Sequence, residues 1–249
     1  SYAGSFIPPI DCKDSFKSEI TLHDNSLRDI TINFPLYNSV KTVRIGLEEG
    51  ALLSCSDGYK DKKPIVFYGS SITQGGCASR PGNSYQALIS RRFNIDYFNF
   101  GFSGNALGEK TMADYIAALP MSLFFLDFDH NSPNAEHLKA HHESFFLNIR
   151  EKNPDLPVIM ATKTDIPRSP AAEKSNAAHR AVVYETYENA VKRGDRNVIF
   201  IDGATVFSKA LTLSAPSDSC TVDGCHPNDL GFACMAKVFG DAIEKMLGL

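Results

Sequence analysis

The chain has 249 residues, 43% of them hydrophobic and 22% charged, with 17 Gly and 13 Pro. That composition excludes a disordered or collagen-like chain and suits one large domain with, at most, a small appendage. A net charge of -4 with no run of four basic residues gives no footprint for nucleic acid, and no stretch approaches the roughly 18 apolar residues of a membrane span.

The chain starts at Ser1 with neither a basic start nor an apolar signal core, which reads as a processed or trimmed beginning. Residues 1–60 read as β structure. Ile30, Ile32 and Phe34 alternate with Thr31 and Asn33, Val43, Ile45 and Leu47 alternate with polar or small residues, and Pro35 to Ser39 would connect them. Three short strands bury little by themselves, so this segment is expected to be an incomplete β appendage with a sheet edge to cover.

From residue 61 the texture changes. Five apolar runs, Ile65–Tyr68, Ile95–Phe100, Leu123–Phe128, Val158–Ala161 and Val198–Ile201, alternate with helix-length segments. The helices are expected over Ser84–Phe93, Glu109–Leu119, Ala135–Lys152, Ala171–Lys192 and Asp229–Met246. Such alternation predicts a three-layer α/β/α domain over 61–249, with a five-stranded parallel sheet of flavodoxin-like type.

In such sheets chemistry gathers at the carboxyl ends of the strands. A serine becomes a nucleophile when a base lies within hydrogen-bond reach and a third group orients that base. Ser71 follows the first run at a glycine-flanked turn, where its own N–H could also bind an oxyanion; a plain helix cap is the bland alternative. His226 is the candidate base and Asp223 the candidate orienter, on a loop that Pro227 and Asn228 join to the last helix. The same Asp-x-x-His spacing recurs at Asp127 and His130, so spacing alone does not choose between them. An α/β-hydrolase elbow is excluded, because Gly-x-Ser-x-Gly would require Gly where Thr73 stands.

Gly69-Ser70-Ser71-Ile72-Thr73, Asn99-Phe100-Gly101-Phe102-Ser103-Gly104 and Asp223-Gly224-Cys225-His226-Pro227-Asn228 together resemble the blocks of the SGNH (GDSL-type) hydrolase superfamily over about residues 62–249. The resemblance implies Ser71 as nucleophile, Asp223 and His226 as acid and base, and an oxyanion hole from the amides of Ser71 and Gly104. The third block departs from Gly-x-Asn-Asp: Asp127 replaces the Gly and Asp129 the Asn that completes the hole. A carboxylate aimed at an oxyanion would oppose catalysis. Asn131, two residues on and on the same side if the strand persists, is the better candidate, with Asp129 the alternative. Residues 34–38, 45–47 and 76–82 look like a branch with an N-terminal β-sandwich ahead of the esterase domain.

The resemblance implies hydrolysis of small acyl esters, acetyl esters of carbohydrates among them, without a cofactor and in a secreted or periplasmic setting. The alternative is an inactive carbohydrate-binding or scaffold protein on the same fold. His137, His141 and His142 read as a solvated helix face and not a metal site. Arg80, Lys163 and Arg168 are candidate substrate contacts or plain surface cations. Gly75-Gly76 lacks the Gly-Lys-Ser/Thr ending of a phosphate loop. The six cysteines are read either as free thiols or with one bridge, Cys77–Cys225 or Cys220–Cys225.

Overall fold

Short apolar strands separated by helices can pair side by side only in parallel, with each helix crossing back over a face of the sheet. The computed structural model describes residues 2–24, 26–211 and 216–249 and has this arrangement. In chain order the elements are β1 (Asp61–Gly69), α1 (Ser71–Gln74), α2 (Tyr85–Phe93), β2 (Ile95–Gly101), α3 (Lys110–Ala117), β3 (Leu123–Asp127), α4 (Ala135–Lys152), β4 (Val158–Ala161), α5 (Pro170–Lys192), β5 (Val198–Ile201), α6 (Val206–Ala210) and α7 (Asp229–Leu247). All strand pairs are parallel, in the order β2-β1-β3-β4-β5. The order reverses at β1, so a crevice opens beyond its carboxyl end, where Ser71 begins α1.

Alternation along β1 builds both halves of the core. Ile65 and Phe67 pack with Tyr85 of α2 and with Phe232 and Phe239 of α7. Val66 and Tyr68 face the other way, against Ile116 of α3 and Phe145 and Phe146 of α4. Phe67 meets Tyr85 edge-on at 5.6 Å between centroids, and Tyr68 stacks on Phe145 at 4.6 Å. A fully buried aromatic side chain contributes roughly 2–3 kcal/mol, so losing one of these rings would loosen the sheet that carries the site.

Capping residues set the helix ends. Asn134, Ser169 and Asn228 accept amide hydrogens of the first turns of α4, α5 and α7. The third strand stops one residue short of the expected run, at Asp127, because Asp129–Asn131 tightens into a 3-10 turn. Helix α6 was not anticipated, since five residues are too short to show a helical period.

The N-terminal expectation is corrected. Among the described residues from 2 to 60 no strand or helix forms, and the alternating apolar residues stay exposed, Ile30 at 64% and Ile45 at 66%. A strand needs a paired neighbour and an apolar face to cover, and this segment makes neither. It touches the α/β domain instead through Asn33, Leu36 and Tyr37.

His142 corrects the solvated-face reading. It is buried, stacked on Phe128 at 5.4 Å with Nδ1 bonded to Thr186 Oγ1, and burial lowers its pKa to about 3. His137 and His141 stack on each other at 4.2 Å. All six cysteines are free thiols, so neither bridge considered from the sequence forms.

Candidate active site

The loop before α7 is shaped by Asp223. Its Oδ1 accepts the amides of Cys225 (2.9 Å) and His226 (2.7 Å), Gly224 turns with φ 83°, and Val222 N closes the loop on His226 O at 2.9 Å. This fold of the backbone brings Asp223 Oδ2 to 2.8 Å from His226 Nδ1. With Nδ1 donating there, Nε2 is the ring's acceptor, and it lies 3.1 Å from Ser71 Oγ. The serine is therefore joined to an oriented imidazole across 155 residues of sequence. The bond to His226, together with the two amides, holds the Asp223 carboxyl well below the usual carboxylate range. His226 and Asp223 remain open to solvent, at 32% and 46% of their side-chain surface.

Ser71 is presented by Ser70, a buried cap whose Oγ accepts Ile72 N, while Gly75 ends α1 in the left-handed region. Ser71 N opens the helix and has no intrahelical partner. The turn after β2 offers a second donor: Phe102 N is taken by Gly69 O, Ser103 N by Gln74 Oε1 and Asn105 N by Phe102 O. Gly104 N, at φ 70°, is left without an acceptor among the described residues.

The third block needs correcting. The strand has already ended, so Asp129 and Asn131 do not share a side. Asp129 is fully buried, its Oδ2 accepting Lys163 N at 3.1 Å, and burial raises its pKa to about 6. It is turned inward and is no candidate for an oxyanion contact. Asn131 is half-buried and donates one Nδ2 hydrogen to Phe102 O at 2.8 Å, which ties it to the turn bearing Gly104. Asp127 is buried too: Thr73 Oγ1 donates to it at 3.3 Å, and burial together with Asp129 pushes its carboxyl well up. It fastens α1 from below.

Neither Arg80 nor Lys163 is bonded to Ser71, His226 or Asp223. The Arg80 guanidinium lies 4.1 Å from the centre of the Tyr2 ring. Lys163 lines a cavity of about 110 Å³ with Asp165 and Arg180. Arg168 fits the site better, lining a cavity of about 420 Å³ with Val222, Asp223 and Gly224. Cys225 sits 3.9 Å from His130 Nδ1, and burial beside Asp165 and Asp223 pushes its thiol up to about 11. It is a neutral thiol, not a second nucleophile. Among the described residues no group of three metal-ligating side chains occurs, and no helix is long and apolar enough to cross a membrane.

The sequence reading missed two contributors. Gln74 bonds to Ser103 N and, through Nε2, to Leu36 O at 3.0 Å, while Tyr37 Oη donates to Ser71 O at 3.4 Å. Leu36 and Tyr37 lie in the 34–38 block that resembles the sandwich-bearing branch, but nothing in that block ties them to the site. The adjacent Gly75-Gly76 was the one signal, since β-carbons there would come 2.4 Å from Leu36 Cδ1 and 2.7 Å from Tyr37 Oη.

The model of the GDSL-like lipase/acylhydrolase family matches residues 62–244, the segment that carries this geometry. The chain belongs to that family. Among solved structures it is similar to a candidate GDSL-like lipase of Bacteroides ovatus, with 33% identity and a TM-score of 0.68, over 75% of this chain and 54% of that one. A salicylyl-acyltransferase from a tetracycline biosynthetic pathway shares 24% identity and a TM-score of 0.62, over 75% and 55% of the two chains. A family two carbohydrate esterase from Clostridium thermocellum, solved with cellohexaose, shares the fold at 16% identity and a TM-score of 0.58, over 79% and 67%. This GDSL-like chain thus spans about half the length of the first two. No curated protein matches it.

Proposed function

We propose that this GDSL-like protein is a serine acylhydrolase that removes small acyl groups, acetyl foremost, from carbohydrate esters. The observation that carries the reading is the continuous hydrogen-bonded chain Ser71–His226–Asp223, with the amides of Ser71 and Gly104 left without an acceptor among the described residues. His226 Nε2 takes the Ser71 proton as Oγ attacks the ester carbonyl, and the oxygen that gains charge is met by those amides and the second Nδ2 hydrogen of Asn131. The imidazolium, held by Asp223, then protonates the leaving alcohol. The same nitrogen next deprotonates a water that attacks the acyl-serine, releasing the acid and restoring Ser71. No step calls for a metal or cofactor group.

The carbohydrate assignment draws support from the family two carbohydrate esterase among the structural neighbours. The inactive-scaffold alternative started from the altered third block and the N-terminal appendage; with Asp129 buried against the Lys163 amide, the first of these weighs less. The test is hydrolysis of para-nitrophenyl acetate, butyrate and octanoate by wild type and Ser71→Ala. An acetate-preferring activity lost in the variant upholds the reading, and equal inertness of both would overturn it.

A further inference from the structure

The turn that presents Gly104 is not held by its own hydrogen bonds alone; a side chain of the nucleophile helix reaches across to it. Gln74 Oε1 accepts Ser103 N at 2.9 Å, and Gln74 Nε2 donates to Leu36 O at 3.0 Å. Both partners are backbone groups of fixed polarity, so only one orientation of the carboxamide satisfies them. The reach depends on a close approach of two backbones. A β-carbon at Gly101, the last residue of β2, would lie 2.0 Å from Gln74 N and 2.4 Å from its Cα. The end of β2 therefore rests directly on α1, and the carboxamide at the end of α1 spans the gap to the next turn.

We propose that Gln74 is the positioning residue of the oxyanion turn: by engaging the Ser103 amide it fixes the turn so that the Gly104 amide is the unpaired donor beside Ser71, and the N-terminal segment steadies Gln74 through the Leu36 carbonyl. The inference rests on the reading of Ser71 as nucleophile and adds a residue that touches neither substrate nor the relay. It also gives residues 33–37 a part in the site. Gly75 and Gly76 leave the room in which Leu36 and Tyr37 lie against α1, and Tyr37 Oη on the Ser71 carbonyl adds a second tie.

Two measurements test it. In the first, Gln74→Leu removes both bonds at similar volume, whereas Gln74→Glu keeps an acceptor for Ser103 N. Since one oxyanion donor is worth roughly 10²- to 10³-fold in kcat, a misplaced one is expected to cost Gln74→Leu about 10- to 100-fold in kcat. KM should stay within about twofold, and Gln74→Glu should recover most of the loss. Gln74→Met replaces the leucine variant if that one does not fold. In the second, amide exchange followed by NMR without substrate should show Ser103 N–H protected in wild type and freed in Gln74→Leu. Unchanged kcat, a loss confined to KM, no recovery in Gln74→Glu, or an unprotected Ser103 amide in wild type would each overturn the proposal. The exchange experiment stands whether or not the protein cleaves esters, so its failure is separable from failure of the esterase reading, which wild type against Ser71→Ala decides.

Discussion

The spacing Asp-x-x-His occurs twice in this chain, and the two copies have opposite fates. After β5, Asp223 folds the loop back on itself with its own Oδ1, so Asp223 Oδ2 and His226 Nδ1 meet at 2.8 Å in a setting open to solvent. After β3, the end of a strand and a 3-10 turn send Asp127 and His130 different ways. Asp127 goes to Thr73 under the nucleophile helix, and His130 Nε2 comes no closer than 4.0 Å to Asp165 Oδ1. Burial and the nearby charge of Lys163 lower the pKa of His130 to about 3, which keeps it neutral and unable to cycle a proton near pH 7. The difference teaches that the backbone between the two residues, and the solvent around them, decide whether this spacing makes a proton relay.

The sharpest way to break the comparison is to exchange the two histidines' fates by mutation. His226→Ala should lower kcat/KM for para-nitrophenyl acetate by about 10⁴-fold or more, as loss of a relay base does elsewhere, while His130→Gln should stay within about threefold; equal losses would dissolve the distinction. Next in size, Asp223→Asn keeps the shape of the loop but not the charge, and a fall of up to about 10⁴-fold in kcat is expected. Asn131→Ala, tied to the Phe102 carbonyl, should cost about 10²-fold in kcat if its second amide hydrogen meets the oxyanion.

Smaller effects concern stability. His130 and His142 both have folded pKa values of about 3 against an ordinary 6.5, so the unfolded chain binds more protons in that interval and stability falls as pH drops from about 6.5 toward 3. Replacing His130 with Gln should flatten that limb by about one proton, or about 1.4 kcal/mol per pH unit, in chemical-denaturation profiles. Asp127 has the opposite sign. Its raised carboxyl keeps a proton that the unfolded chain has released above pH 3.8, so stability from this group declines as pH rises. Asp127→Asn, which mimics the protonated form, should therefore raise Tm at pH 7 by roughly 2–4 °C, and no change would mean that the Asp127 carboxyl is not raised in the folded protein.

Much of this was legible in the sequence because it rests on local patterns. Five apolar runs placed the strands within four residues at every end, and Val158–Ala161 and Val198–Ile201 without any offset, since a strand buried on both faces leaves an uninterrupted signature. Ser71, Asp223 and His226, which the fold brings within hydrogen-bond reach of one another, could be named as candidates because turn and cap residues surround them. What escaped notice depends on contacts that spacing does not encode. Asn131 could be named, but its partner could not, because the 3-10 turn after Asp127 removes the strand geometry the extrapolation relied on. The alternation around Ile30–Phe34 and Val43–Leu47 is a true β pattern, yet pattern without a pairing neighbour leaves a chain unpaired. Gln74 has no signature at all, since its importance comes from Gly101 letting two backbones touch.

The 155-residue separation of Ser71 and His226 sets an order of events during synthesis. At roughly 5–20 residues per second on the ribosome, the serine emerges about 8–30 s before its histidine. Through that interval Ser71 has no imidazole from the last loop to meet. The hydrogen bond between Ser71 and His226 therefore has to wait for the loop before the last helix, whatever the rest of the sheet has already done.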